Sequence, residues 1–338
     1  MRRKNTKDTI SAGASCGGQK RTSNGVLNDV RLSDRGGADR INGISFWLKQ
    51  RFGKKMIKLA CDAGFTCPNR DGTLSTGGCT FCGERAGSEF SSRTEPGKIK
   101  ASLDEQIRMY RTKWPDAGYL AYFQNHTNTY APVETLRRLY YEALSDPRIE
   151  GLAVATRPDC LGDDVLALLK EIGSEHFLWV ELGLQTANDG TADRINRCYP
   201  LSVYDAAAEK LNALGIRFVT HLILGLPGET KDDMEASVDH VCRAGTWGLK
   251  LHMLNIVKGS AMGEEDPVYV PFGSIEEYVD LVCDLLERIP EDVVIHRLTA
   301  DAERRTLIAP EWSYQKRTIL NSIHAELRRR GSYQGSAL

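Results

Sequence analysis

Three cysteines, Cys67, Cys79 and Cys82, fall within the glycine-rich stretch CPNRDGTLSTGGCTFC, with eleven residues between the first two and two between the last two. Three clustered thiolates suit a [4Fe–4S] cube whose fourth iron is left open to an outside ligand. With one further ligand they suit a tetrahedral zinc ion. Gly77 and Gly78 favour the first reading, because a loop wrapped around a cluster needs positive φ and close backbone approach. A zinc site would take its fourth ligand from a histidine or aspartate, and His126, His221 and His252 stand at or near strand ends. Spacing alone leaves iron–sulfur, zinc and unrelated thiols all open. The other cysteines (Cys16, Cys61, Cys160, Cys198, Cys242 and Cys283) are scattered singly and read as core or surface residues.

The elements that must hold these thiols can be traced by period. Apolar strand patterns cover 56–61, 119–124, 151–156, 177–185, 217–224, 248–257 and 292–299. Helical spacing covers 98–114, 132–144, 163–172, 204–215, 231–245, 274–289 and 315–330. Alternation of this kind with short connections predicts a parallel sheet covered by helices. Several strands are apolar throughout, which predicts a barrel or partial barrel buried on both faces. Chemistry in such barrels gathers at the C-terminal strand ends. Those ends carry the cysteine loop after 56–61, NHTNTY after 119–124, RPD after 151–156, Gln185 after 177–184, and GLPGE after 217–224.

The bulk composition excludes other classes. Of 338 residues, 44 are Lys or Arg and 45 Asp or Glu, so the net charge is −1 and nucleic-acid binding cannot be argued from it. No apolar run reaches the roughly 20 residues of a membrane span. The N-terminus lacks the apolar core of a secretory signal, and a cytoplasmic location without membrane partners is expected. Residues 1–41 are rich in Gly, Ser, Asn, Lys and Arg and read as a disordered basic tail.

The ordered series KLACDAGFTCPNRDGTLSTGGCTFC, AYFQNHTNTYAPVE, ATRPDCL, WVELGLQTAND, THLILGLPGET and VIHRLTAD, with the later APEWSYQKRTILNSI, resembles the radical S-adenosylmethionine (radical SAM) superfamily. Within it, the chain is similar to the uncharacterised family whose barrel is close to that of the Elongator catalytic subunit. The resemblance covers residues 42–330. It implies an α/β fold, a partial (β/α)6 TIM-like barrel over 42–260 with a small C-terminal α/β extension over 261–338. It also implies that Cys67, Cys79 and Cys82 hold one [4Fe–4S] cluster, with S-adenosylmethionine chelating the fourth iron. Reductive cleavage, fed by an external one-electron donor of flavodoxin or ferredoxin type, would then yield a 5′-deoxyadenosyl radical that abstracts a substrate hydrogen.

Further cofactor contacts follow from the same resemblance. Phe81 would pack beside the cluster and adenine, or simply anchor the loop in the core. The usual Gly-Gly-Glu signature for the methionine amino group is missing, and NHTNTY stands in its place, making Asn125, Thr127 and Asn128 the candidates. Glu181 and Gln185 are candidates for the ribose hydroxyls or amino group, or for hydrogen bonds inside the barrel. Arg157 offers a fork to the methionine carboxylate or a substrate phosphate, or else pairs with Asp159 or Glu181. Gly225 and Gly228 would let the backbone approach adenine, or serve a tight turn. Lys250 and His252 on one strand and His296 and Arg297 on the next point toward a substrate pocket, with a satisfied place in the core as the default for each histidine. The long first cysteine gap departs from the widespread three-residue spacing but matches the Elongator-like branch.

Kinship with the Elongator catalytic subunit suggests tRNA wobble uridine as substrate. The basic tail and Lys316, Arg317, Arg328, Arg329 and Arg330 of the closing helix fit a phosphate backbone. No acetyltransferase domain follows the barrel in this sequence, so any modification is expected to come from radical chemistry. The alternatives are a radical SAM enzyme acting on a small molecule and a zinc-stabilised RNA-binding protein without catalysis.

Overall fold

The computed structural model describes residues 32, 40–83, 98–300, 302 and 304–338. The basic tail expected at 1–41 lies outside the described residues, except at Leu32, Arg40 and Ile41. These do not behave as tail: Leu32 and Ile41 are buried, and the Arg40 guanidinium donates to the Ser332 carbonyl.

Seven parallel strands form one sheet: β1 (Met56–Cys61), β2 (Gly118–Phe123), β3 (Ile149–Thr156), β4 (Phe177–Gln185), β5 (Arg217–Leu224), β6 (Gly248–Met253) and β8 (Val294–Arg297). The spatial order β1-β2-β3-β4-β5-β6-β8 places each strand beside its predecessor in the series. The connecting helices are α2 (Ile99–Arg111), α3 (Val133–Leu144), α4 (Asp163–Glu175), α5 (Asp189–Arg194), α6 (Leu201–Leu214), α7 (Lys231–Arg243), α8 (Ala261–Glu265) and α9 (Ile275–Arg288). A closing helix, α10 (Lys316–Arg330), packs on α9.

Alternation along β1 and β2 sorts residues between two cores. Ile57, Leu59, Ala121 and Phe123 face the helices, whereas Leu120 and Tyr122 share the inner face with Ala153, Ala155, Trp179, Val219 and Val294. The inner core is completed by α1 (Ile44–Phe52), which packs on both edge strands, β1 and β8. Trp47 of α1 stacks on Phe177 at 5.7 Å and meets Trp247 edge-on at 5.0 Å. Helix α1 thus fills the N-terminal end of a sheet whose edges do not pair with each other.

Two departures from the sequence reading bear on the site. The stretch 248–257 breaks after Met253, where the Leu254 amide bonds back to the Leu224 carbonyl. Its end, β7 (Ile256–Val257), pairs antiparallel with β9 (Leu307–Ala309). In addition, β8 pairs in parallel with β6, so the main sheet runs past the boundary expected at residue 260.

Candidate cofactor and substrate site

The cysteine loop leaves β1 at the C-terminal face of the sheet and is pinned on several sides. The Thr127 amide, in the loop after β2, donates to the Thr66 carbonyl at 3.2 Å. The Thr80 amide donates to Ile195 O at 3.0 Å, and the Met262 amide donates to Thr80 O at 2.8 Å. Asn69 links the first turn to the second: its Nδ2 donates to Cys79 Sγ at 3.5 Å and to Asn196 O at 2.5 Å. Asn196 replies with its own Nδ2, which donates to Gly78 O at 2.8 Å. Arg70 donates through Nη2 to the carbonyls of Cys82 and Gly83. Gly77 and Gly78 take φ of 82° and 87°, which supplies the physical reason for glycine there.

The three thiols feel one another and two arginines. Burial pushes the Cys79 thiol up to about 12, reinforced by Cys82 and Cys67 and opposed by Arg157 and Asn69. Burial also raises Cys82, against the pull of Arg70. Among the described residues, no group of three or more His, Cys, Asp or Glu is placed to hold a metal ion. The donor set nonetheless fits a cluster, whose thiolate ligands stand farther apart than those of a single ion. Around the mouth, Asn69 Oδ1, Thr80 Oγ1, Asn128 Oδ1 and both side-chain polar atoms of Asn255 are buried without a protein hydrogen bond. Buried polar atoms are seldom left unpaired, so this rim suits a polar ligand such as S-adenosylmethionine.

The other residues singled out from the sequence fall into place unevenly. Asn125 and Asn128 sit in one loop: Asn125 Nδ2 donates to Asp62 Oδ2, while Asn128 Nδ2 donates to the carbonyls of Asn125 and Ala155. Thr127 is buried between them. Phe81 packs with Ile195, Leu226, Leu254, Ile256 and Met262, which makes it the loop's anchor. The guanidinium of Arg157 forks onto Asp159 at 2.9 and 2.7 Å and lies over the Tyr199 ring, so the pairing with Asp159 is the one realised. Its Nη2 also donates to the Arg197 carbonyl. Gly225 and Gly228 have φ of 84° and 80°, and a Cβ at Gly225 would meet Phe272 and Pro271 within 3 Å. Packing of that segment therefore demands the glycine, with no appeal to adenine.

Of the two readings of Glu181, the hydrogen bonds inside the barrel are the ones the structure displays. Its carboxylate accepts from Tyr122 Oη at 2.5 Å, Trp179 Nε1 at 3.0 Å, His221 Nε2 at 2.9 Å, and Lys250 Nζ. These saturate it inside the barrel, below the mouth. Burial opposes its ionisation, but Lys250, Lys58 and His221 outweigh burial and hold its carboxyl well below the usual range. Gln185 takes φ 69° where the β4–β5 register shifts, and its amide folds back over Gly183 and the carbonyls of its own strand. His221 and His252 belong to this interior too, their rings 5.2 Å apart, and not to the thiols as a fourth zinc ligand.

Sequence reasoning missed the segment 195–199. Asn196 and Cys198 adopt φ of 53° and 62°. The wholly buried Arg197 fixes them: it donates to the carbonyls of Tyr199, Leu184 and Thr186 and to Asp189 Oδ1. An Asn–Arg pair after a short helix was the sole sequence signal, since asparagine tolerates the left-handed region better than most residues.

Comparison with known proteins agrees with this geometry. The profile of the Radical SAM superfamily matches residues 67–241, and that of the Radical_SAM C-terminal domain matches 246–329. The chain is 42% identical over 297 residues to YtqA of Bacillus subtilis, covering 88% of this chain and 92% of YtqA. It is 40% identical over 294 residues to YhcC of Escherichia coli, covering 86% and 93%. A shorter match of 28% over 159 residues, 46% of this chain and 34% of the relative, is to the tRNA uridine(34) acetyltransferase of Dehalococcoides mccartyi. The fold is similar to that of Elp3 from Methanocaldococcus infernus, with a TM-score of 0.60 at 14% identity over 82% of this chain and 64% of that one. The protein belongs to the radical SAM superfamily. It is accordingly a radical SAM enzyme, a class that works with a [4Fe–4S] cluster and S-adenosylmethionine.

Proposed function

We propose that Cys67, Cys79 and Cys82 hold the cluster and that the enzyme modifies the wobble uridine of tRNA in the cytoplasm. The observation that carries the first part is the three-thiol loop, pinned by Asn69, Asn196 and Thr127 under a rim of buried polar atoms without partners. A [4Fe–4S] cluster held by Cys67, Cys79 and Cys82 would supply one-electron reductive cleavage of bound S-adenosylmethionine, with the electron coming from a flavodoxin- or ferredoxin-type donor. The chain's own residues position and shield that chemistry. Asn69 steadies the Cys79 sulfur, Phe81 closes the loop against the β6–β7 turn, and Asn128, Thr80 and Asn255 offer polar contacts to the cofactor. Arg157, neutralised by Asp159, lends a cation near Cys67 and Cys79 without a net charge.

Support for tRNA comes from the partial match to a tRNA uridine(34) acetyltransferase and from the Elp3-like fold. A second reading, a small-molecule substrate, is favoured by the closing helix. Arg330 is bound to Asp280, Asp284, Glu287 and Glu326, and Arg329 to Glu326, so these cations are not available to a phosphate backbone. Protein purified without oxygen should be brown with about four irons per chain and release 5′-deoxyadenosine with reductant, and Cys79→Ala should lose both. One zinc per colourless chain would refute the enzyme reading. Mass spectrometry of tRNA nucleosides from cells with and without the gene then decides the substrate: an unchanged wobble uridine profile rules out the tRNA assignment.

A further inference from the structure

Beneath the mouth, the barrel interior holds a layer of charge that cofactor binding does not use. Two lysines, Lys58 and Lys250, face one carboxylate, Glu181. Lys250 takes that carboxylate directly, whereas the Lys58 ammonium stands 4.0 Å from Glu181 Oε1 and 4.7 Å over the Tyr122 ring. Arg297 adds to the positive field, acting on Lys58, Lys250, His221 and His252. Glu181 and Lys250 also act on two histidines, His252 and His296, and Lys58 acts on His296, whose ring rests edge-on against Trp179 and Trp247. Nε2 of His252 and both ring nitrogens of His296 are buried without a hydrogen bond. Burial and the neighbouring cations hold both rings neutral, so each keeps one N–H to donate.

This layer is open from above. The Lys58 side chain is 26% exposed and that of His221 20%. Between the layer and the mouth the inward residues include the small Ala60 and Gly183, and these, with Ile223 and His252, remain partly accessible. Below, Trp47, Trp179 and Trp247 close the floor. An interior ion-pair network alone would not explain the arrangement, because one carboxylate faces both the buried Lys250 and the half-buried Lys58 and leaves the imidazole donors of His252 and His296 idle.

We propose that Lys58, His252 and His296 form a subsite for an oxyanion of the substrate, a phosphate or a carboxylate, held in the barrel below the cofactor. The subsite rests on the reading that radical chemistry takes place at the mouth above it. An oxyanion there would accept from the Lys58 ammonium and the two imidazole N–H groups, with Lys250 and Arg297 supplying longer-range attraction.

The test is isothermal titration calorimetry of the cluster-loaded full chain with inorganic phosphate and, separately, with acetate, in chloride buffer at neutral pH. One saturable site per chain is expected for at least one anion. Phosphate alone assigns a phosphoester, acetate alone a carboxylate. Lys58→Met should weaken binding at least about tenfold, and Lys58→Arg should restore most of it. His252→Asn gives an independent variant with the same expected direction, and the exposed Lys100→Met is the unchanged control. No saturable heat with either anion, or wild-type affinity in both Lys58→Met and His252→Asn, overturns the subsite. Release of 5′-deoxyadenosine by the wild-type protein without added anion is measured in parallel. Its presence with no anion binding removes the subsite alone, and its absence removes the parent reading.

Discussion

Asn196 ties the first turn of the cysteine loop to the second. It accepts from Asn69 through its carbonyl and donates to Gly78 through its amide, all from a left-handed backbone. Asn196→Ala removes a side-chain hydrogen bond and the residue type that tolerates this conformation, at a cost of about 1–3 kcal/mol. The expected outcome is faster loss of the iron–sulfur absorbance in air, with a thermal midpoint lowered by a few degrees. Equal bleaching rates in variant and wild type would contradict it. The interior histidines make a second residue-scale prediction. Burial and the cations around them push His221 down to about 4 and His252 and His296 well below their usual value. The groups facing them are Lys58, Tyr122, Glu181, Lys250 and Arg297. A folded pKa below the unfolded one means the unfolded chain binds more protons, so stability falls as pH drops below about 6.5 toward 4. Each histidine contributes a slope of up to about 1.4 kcal/mol per pH unit. Urea midpoints between pH 7 and 5 should show this, and His296→Gln should flatten the slope by roughly one proton.

At the scale of elements, the strands were legible because apolar runs of fixed period end in polar residues. Strands β1 and β4 fall where that reading puts them, and the cysteine trio stood out by its clustering, although spacing alone left its ligand open. Helix α1 was not legible as an element. Its apolar residues Ile44, Phe46, Trp47, Leu48 and Phe52 form no single stripe, because the helix fills a barrel end and meets protein on several sides. The Glu181 network was half legible: polar residues inside apolar strands stood out, but which of them meet depends on strand register. The basic run of α10 was legible as charge but not as pairing: Arg330 meets Asp280, Asp284 and Glu287 of α9, whereas Arg317 and Arg328 remain exposed. Trp47→Ala should cost about 3–5 kcal/mol, as for other buried aromatic truncations. Chemical denaturation would measure it, and a loss under 1 kcal/mol would mean that the floor is not packed as described.

Residues 40–43 are tied to partners 249 to 292 positions further along the chain. Gly43 bridges to Ile295, Asn42 donates through its backbone amide to Gln334 Oε1 and through Nδ2 to the Glu291 carbonyl, and Arg40 reaches Ser332. With Arg329 and Arg330 ion-paired and Arg317 and Arg328 exposed on the closing helix, an RNA complex held there should show a shallow slope of log affinity against log salt, about −2 for two phosphate contacts. A slope near −10 would require a basic surface that the closing helix does not offer.

The seam between β1 and β8 also sets a timetable. During synthesis from the N-terminus, the cysteine loop leaves the ribosome long before residues 195–199, and α1 has no second edge to rest on until β8 and residues 332–334 appear. Residues 40–43, which lead into α1, therefore gain their partners only after β8 and residues 332–334 have been made, so the sheet is complete before the helix that plugs it is fastened.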